Sequence, residues 1–126
     1  MQKQVLKISG IFLVFIFTFI NSIYALSPQG QLKYKGIDVS DWQGYIDYSQ
    51  VKNSGIEVVY IKSSQGTNIK DPYFEINYEN AKVNNLKVGF YHFLTATTVE
   101  EAEQQAIFFA SVISGKQADC KLAMDY

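Results

Sequence analysis

The sequence contains no arginine, and only one cysteine and one histidine, in 126 residues. Proteins that bind nucleic acids usually carry arginine in a basic patch, so we expect no nucleic-acid partner. The single cysteine, Cys120, excludes an internal disulfide framework and is either a small buried apolar residue or an unpaired thiol. The single histidine excludes a multi-histidine metal site, so no metal is expected.

The first 25 residues have the pattern of an export signal. Lys3 and Lys7 form a basic start, positions 8–20 are almost wholly apolar, and Ala25 provides a small residue for cleavage. An apolar run of 13 residues is short for a membrane span, and an uncleaved N-terminal anchor is the alternative. We therefore predict a signal peptide at 1–25 and a secreted, extracellular protein without stable membrane insertion after cleavage.

Cleavage after Ala25 would leave 101 residues with a formal charge of −3, because two of the eleven lysines and none of the twelve acids lie before that point. Positions 26–35 are polar and are predicted to be a lead-in segment. The remainder, 36–126, is long enough for one domain but too short for a complete (β/α)₈ barrel, which takes about 200–250 residues.

From position 35 onward, strand and helix patterns alternate. Apolar stretches predict four strands, at 35–39, 56–61, 86–93 and 121–126. Helical spacing and end signals predict three helices, at 45–54, from Asp71-Pro72 onward, and after a capping box at Thr97–Glu100. A polar loop is expected at 63–70. This order predicts an α/β fold with a parallel sheet and right-handed crossovers.

Each predicted helix has an apolar stripe that we expect to face the sheet. For the first helix the stripe is Ile46 and Val51, and for the second it is Phe74, Tyr78 and Ala81. For the third helix it is Val99, Ala102, Ala106, Phe109 and Ile113, with Gly115 closing the helix.

Every predicted strand presents a polar or ionisable residue near its carboxyl end. In chain order these residues are Asp38 and Ser40, Lys62 and Ser63, Tyr91 and His92, and Asp125. Ligands of parallel α/β folds bind at this edge of the sheet, so a functional cleft is predicted there.

Asp38 and Asp125 are the candidate catalytic carboxylates. A charge on a buried strand is costly to desolvate and is normally kept for a function. The alternatives are a turn cap for Asp38, a frayed terminal charge for Asp125 and, for the neighbouring Lys62, a structural ion pair. His92 is interpreted as a hydrogen-bonded group that lines the cleft rather than as the principal base. Trp42 and Tyr45 belong either to the core or to a surface that stacks on a sugar ring.

Five stretches together resemble glycoside hydrolase family 25, the peptidoglycan-cleaving lysozymes or N-acetylmuramidases. They are GIDVSDWQG at 36–44, VVYIKSSQG at 58–66, DPYFEINYENAK at 71–82, LKVGFYHF at 86–93 and LAMDY at 122–126. The resemblance implies an irregular, TIM-like β/α barrel of eight strands, of which 36–126 would be about the first half. It also implies hydrolysis of the β-1,4 bond between N-acetylmuramic acid and N-acetylglucosamine, with bacterial peptidoglycan as partner and with no cofactor.

By this resemblance Asp38 is a catalytic carboxylate, and Asp125 is the first acid of an Asp-x-Glu motif. Tyr91 and His92 match a strand that lines the cleft, and Trp42 matches a tryptophan after the first strand. The family often has glutamate where this chain has Gln65. The glutamate of Asp-x-Glu, the expected general acid, would follow Tyr126.

From this last departure we expect little activity from the 126 residues alone, with a complementing C-terminal half as a candidate partner. The alternatives to an enzyme are an exported half-barrel that binds glycan without cleaving it, and a fragment of a longer lysozyme gene.

Overall fold

Strands and helices alternate through the part of the chain that the structure, a computed structural model, describes, residues 33–126. The strands are β1 (Gly36–Val39), β2 (Val58–Gln65), β3 (Ile69–Lys70), β4 (Lys87–Phe93) and β5 (Ala123–Asp125). The α-helices are α1 (Tyr48–Asn53), α2 (Phe74–Val83) and α3 (Val99–Val112), and a 3₁₀ turn spans Asp41–Gln43. The predicted signal peptide and most of the lead-in lie outside the described residues.

Four of the strands form one parallel sheet in the order β1-β2-β4-β5. Each neighbouring parallel pair is joined through a helix, as the alternating sequence pattern predicted. The α/β class with four parallel strands and three helices is therefore confirmed. Within residues 33–126, no helix has the length and apolar character needed to cross a membrane.

The core lies between one face of this sheet and helices α2 and α3. Alternate residues of the two central strands, among them Ile61 and Phe90, are buried against Phe74 and Phe109. The Phe74 and Phe90 rings meet edge to face, with centroids 5.4 Å apart. Burying side chains of this size stabilises the fold by about 1.5–3 kcal/mol each. Because strand side chains alternate, the residues between them face the opposite side, which we call the concave face after the cleft that it holds.

β2 is longer than its apolar pattern indicated. The prediction ended this strand near Lys62 and placed a loop at 63–70, whereas the strand continues to Gln65 and turns back into β3. Ser64 pairs with Lys70, and Gln65 pairs with Ile69. The polar extension is stable as a strand because both its edges are hydrogen-bonded, by β3 on one side and β4 on the other.

α1 begins later than predicted, at Tyr48 rather than Tyr45. Its cap is Asp47, whose Oδ1 accepts hydrogen bonds from the amides of Ser49 and Gln50 at 3.0 and 3.2 Å. Ile46 and Val51 pack against the core as expected. The largest buried side chain of α1 is Tyr48, which the predicted stripe omitted.

The start of α2 is also corrected. Asp71 does not cap the helix, because α2 begins at Phe74 and no side chain caps it. The predicted stripe of Phe74, Tyr78 and Ala81 does face the core.

α3 is capped by Thr98 rather than Thr97, since Thr98 Oγ1 accepts the Glu101 amide at 3.2 Å. The inward face agrees with the prediction at Phe109 and Ile113, which belong to the core or pack against it. It differs in that Val99 and Ala106 are exposed and Gln105 is buried. The prediction was wrong at these positions because a buried glutamine does not contribute to an apolar pattern.

Candidate active site

A cleft of about 420 Å³ opens on the concave face near the carboxyl ends of the strands. Its lining includes five predicted site residues, namely Asp38, Trp42, Lys62, Tyr91 and Asp125. The other lining residues are Ser40, Gln43, Gln65 and Phe93. The fold therefore brings together residues from four parallel strands and the turn after β1.

Strand register places the two acids at different levels of β4, on either side of Tyr91: Asp38 is level with Gly89 through Tyr60, and Asp125 is level with Phe93. Asp38 on β1 pairs with Tyr60 on β2, and Asp125 on β5 pairs with Phe93 on β4. Tyr91 lies on the intervening strand and borders, with both acids, a second smaller hollow that Tyr60 helps to form. The two carboxylates thus flank the Tyr91 side of the cleft.

Asp38 and Asp125 are both exposed, which corrects the expectation that Asp38 is a buried charge. β1 lies at the edge of the described sheet, and its concave face is not covered by a helix. The candidacy of Asp38 therefore depends on its place in the cleft and not on a desolvation cost.

The hydroxyl of Tyr91 has a strongly raised pKa. Partial burial raises the pKa of its hydroxyl to about 12, and the carboxylates of Asp38, Asp71 and Asp125 add to the rise, while a hydrogen bond with Ser40 opposes it. A tyrosine in this state stays protonated across the neutral range, so Tyr91 is available as a hydrogen-bond donor between the two acids.

Lys62 lies in the cleft as a hydrogen-bond donor. Its Nζ donates to Gln65 Oε1 at 2.9 Å and lies 5.6 Å from the centroid of the Phe93 ring. The ion pairs described for residues 33–126 do not include Lys62, so the structural ion pair considered for it is not found there. The neutral Gln65 amide occupies the position beside this cation.

Trp42 is presented by a short turn at the edge of the cleft. We call residues Ser40–Gly44 the Trp42 turn. Ser40 Oγ accepts the Trp42 amide at 3.2 Å, and Gln43 Oε1 accepts the Ser40 amide at 2.7 Å, which makes a reciprocal capping box. Trp42 is 86% exposed, so it is not a core residue.

Tyr45 lies just after this turn and is 75% exposed. It is not among the residues that line the cleft. The core interpretation of Tyr45 is therefore wrong, and its grouping with the cleft residues is not supported by its position.

His92 is corrected from a cleft residue to a buried structural one. It is fully buried on the helix side, 5.6 Å from Phe109 between ring centroids. Its Nδ1 bonds Ser64 Oγ at 2.8 Å and its Nε2 lies 3.3 Å from Gln105 Oε1. Since a carbonyl oxygen only accepts, Nε2 carries the proton and Ser64 donates to Nδ1. Burial lowers the pKa of His92, which favours this neutral form.

Within residues 33–126, no group of three or more histidine, cysteine or acidic side chains could hold a metal ion. The polar groups of the cleft are carboxylates, amides, hydroxyls and the ammonium of Lys62. They suit hydrogen bonding to a polar, neutral ligand such as a sugar.

Residues 37–126 match the family described as glycosyl hydrolases family 25. The chain belongs to this family. It is 44% identical over 91 residues to the autolytic lysozyme of Clostridium acetobutylicum, and the alignment covers 72% of this chain and 27% of that protein. It is 40% identical over 94 residues to lysozyme M1 of Streptomyces globisporus, with 75% and 32% covered.

A solved family 25 glycosyl hydrolase from Bacillus anthracis has a similar fold, with a TM-score of 0.67 and 30% identity. The match covers 79% of this chain and 45% of that one. The chain thus spans about a third or less of the length of the two lysozymes and under half of the solved hydrolase. Both the predicted family and the parallel α/β fold are confirmed.

The sequence interpretation of this family 25 chain missed Gln43 and Phe93, which line the cleft, and Tyr60, which lines the smaller hollow. Alternation along a strand could have found two of them, because Tyr60 and Phe93 stand two positions from Lys62 and Tyr91. The same alternation places His92 on the face opposite Tyr91.

Proposed function

We propose that this family 25 chain carries part of the active site of a muramidase, which hydrolyses the β-1,4 bond between N-acetylmuramic acid and N-acetylglucosamine in bacterial peptidoglycan. The observation that carries the proposal is the presence of Asp38 and Asp125 in one cleft, beside Tyr91. Glycoside hydrolysis generally uses two carboxyl groups, one to donate a proton and one to face the positive charge that develops on the sugar.

In the proposed reaction, Asp38 faces the oxocarbenium-like carbon or orients the acetamido oxygen of the substrate as the nucleophile. The proton donor is the glutamate of the Asp-x-Glu motif, at the position that follows Tyr126 in a longer chain. Asp125 would raise the pKa of that glutamate by like-charge repulsion and so keep it protonated. Tyr91 would donate a hydrogen bond to the sugar, since its pKa of about 12 keeps it neutral.

The activity is tested by the clearing of a peptidoglycan suspension. The chain is compared with a chimera in which its residues precede the C-terminal part of the catalytic domain of the Clostridium acetobutylicum lysozyme. We expect the chimera to clear the suspension and the chain alone to clear it weakly or not at all, because a positioned proton donor contributes about 10²–10⁴-fold.

In the chimera, Asp38→Asn should abolish clearing, whereas Asp119→Asn should not, since Asp119 pairs with Lys82 outside the cleft. Clearing by Asp38→Asn at the unsubstituted rate would refute the assigned role of Asp38. Clearing by the short chain at the rate of the chimera would show that the proton comes from another group.

A second candidate function is glycan binding without hydrolysis. It is favoured by Trp42, whose exposed ring at the edge of the cleft offers a flat apolar face to a sugar. Co-sedimentation of the chain with insoluble peptidoglycan, in the absence of any clearing, would support this function.

We also propose that the chain is exported. The support is the sequence pattern of the first 25 residues, together with the cell-wall substrate proposed above. N-terminal sequencing of the protein from the culture medium should show a start at Leu26, and an intact N-terminus in the membrane fraction would contradict this.

A further inference from the structure

Asp71 is a buried carboxylate between β3 and α2 that does not belong to the cleft lining. The residue is 3% exposed, and none of the ion pairs described for residues 33–126 includes it. A buried carboxylate without a cationic partner is costly unless hydrogen bonds compensate for the lost water. The burial of Asp71 is therefore stable only if neighbouring donors form hydrogen bonds to its two carboxylate oxygens.

The two oxygens accept hydrogen bonds from two distant parts of the chain. Oδ1 accepts the amide of Tyr73 at 2.9 Å, which closes a local turn. Oδ2 accepts the amide of Asp41 at 3.0 Å, thirty residues earlier in the sequence. The amide of Asp71 donates to the carbonyl of Ser63 on β2 at 2.9 Å. Asp71 thereby connects the Trp42 turn to the central sheet.

Apart from Asp71, the Trp42 turn is attached to the sheet at its first residue, because Ser40 follows β1 directly and its side chain hydrogen-bonds Tyr91. Its capping bonds join Ser40, Trp42 and Gln43 to one another, and the Gly44 amide returns to the carbonyl of Asp41. Among the described contacts of Asp41–Gln43, the Asp41 amide is the only backbone group that bonds outside the turn. Because the Trp42 side chain is exposed, core packing does not hold it in place.

We propose that Asp71 is a positioning residue, whose carboxylate holds the Trp42 turn against the sheet and so fixes Trp42 at the edge of the cleft. The effect on ligand binding rests on the proposed function; the effect on the turn does not. An aspartate suits this task because two separate amides need two acceptor oxygens, whereas asparagine offers only one.

The first test uses Trp42 as its own probe, since it is the only tryptophan in the chain. Time-resolved fluorescence anisotropy would be measured on the full chain carrying Asp71→Asn. The matched control is Asp119→Asn, which also removes a carboxylate that accepts a backbone amide, from Val88 at 2.9 Å, but has no contact with the turn. We expect a larger fast-decaying component in Asp71→Asn than in the wild type or Asp119→Asn. Equal anisotropy decays in the two variants would overturn the proposal.

A second pair of variants tests only the hydrogen bond from the Asp41 amide to Asp71. If Asp71→Asn does not fold, this pair alone decides whether Asp71 holds the Trp42 turn. Asp41→Pro removes the amide hydrogen that Asp71 accepts, while Asp41→Ala keeps it and removes only the side chain. Proline fits here because Asp41 opens the 3₁₀ turn and Ser40 before it is already extended, at φ −149° and ψ −167°. Trp42 should gain fast motion in Asp41→Pro only, and the same decay in both variants would contradict the proposal.

The consequence for binding is measured by co-sedimentation with insoluble peptidoglycan. Asp71→Asn should weaken binding about three- to tenfold, as expected for the loss of one positioning hydrogen bond, and Asp119→Asn should leave it unchanged. If the wild type does not bind, glycan binding by this chain is refuted, whereas the anisotropy results still decide whether Asp71 holds the turn and the chimera still tests the muramidase function. If Asp71→Asn frees Trp42 yet binds like the wild type, the turn does not govern binding and that part of the proposal is refuted.

Discussion

The ring of Tyr60 lies directly over Gly89 on the concave face of the sheet. A Cβ atom added to Gly89 would come within 2.5 Å of Cε1 of that ring, closer than such atoms approach in folded proteins. The hydroxyl of Tyr60 continues past β4 and donates to the carbonyl of Lys121 at 3.0 Å. Glycine at position 89 thus leaves the space through which β2 contacts the segment that leads into β5.

Gly89→Ala should destabilise the protein by about 1–3 kcal/mol, because the aromatic ring must move or the strands must separate. The measurement is urea unfolding followed by circular dichroism. In a Tyr60→Ala background the same substitution should lower the free energy of unfolding much less, since the ring that the new methyl group would contact is absent. A full cost in both backgrounds would show that the clash with Tyr60 is not the cause.

Tyr48→Phe should stabilise the protein by about 1 kcal/mol. Tyr48 is 2% exposed, and its buried hydroxyl has no hydrogen-bond partner among residues 33–126. Removing an unpaired buried polar atom while keeping the ring relieves its desolvation cost. Tyr45→Phe, at an exposed position, should leave the urea midpoint unchanged. A loss of stability in Tyr48→Phe would show that the hydroxyl has a partner, such as a buried water.

The elements that the sequence predicted best are those in which local pattern and tertiary packing agree. The central strands and the inward face of α2 are apolar in sequence and buried in the fold, so the strand that carries Phe90 and the inward position of Phe74 were predicted from pattern alone. The polar end of β2 was missed because Ser64 and Gln65 become strand only by pairing with β3 and β4, a long-range effect that periodicity does not contain.

In the candidate site, too, local sequence pattern predicted some residues correctly and missed those whose position depends on long-range contacts. The presence of polar residues near the carboxyl ends of the predicted strands correctly grouped Asp38, Tyr91 and Asp125, because parallel strands align these ends at one edge of the sheet. The same pattern wrongly added His92, because the position of a residue at a strand end does not show which face of the sheet its side chain lies on. Asp71 was mistaken for a helix cap, as the acid-proline pair before a helix is typical of one, and its partner Asp41 is thirty residues away.

His92 should make stability depend on pH in the mildly acidic range. Burial, with repulsion from Lys62, lowers the pKa of the folded imidazole below its ordinary 6.5, although the Gln105 hydrogen bond opposes this. The unfolded state then takes up a proton more readily than the folded state. The contribution of His92 to the free energy of unfolding is fully present above pH 6.5. It is lost as the pH falls from 6.5 through the folded pKa, where the free energy of unfolding decreases by up to about 1.4 kcal/mol per pH unit.

The measurement for His92 is urea unfolding at a series of pH values between 5 and 8. The matched variant is His92→Gln, which keeps a polar side chain in the network but does not titrate. The difference between the two proteins isolates the histidine from the carboxylates. Parallel stability curves for the wild type and His92→Gln would refute the buried neutral state of His92.

Trp42→Ala should separate ligand binding from stability. Because the side chain is 86% exposed, its removal should change the free energy of unfolding by less than about 0.5 kcal/mol. Loss of a flat apolar face at the cleft should weaken binding to insoluble peptidoglycan by about three- to tenfold, with partial recovery in Trp42→Phe. The control is Ile107→Ala on α3, where a 71% exposed apolar side chain lies outside the cleft. Equal binding by Trp42→Ala and Ile107→Ala would mean that Trp42 does not contact the glycan, and the sugar-stacking role of the Trp42 turn would have to be abandoned.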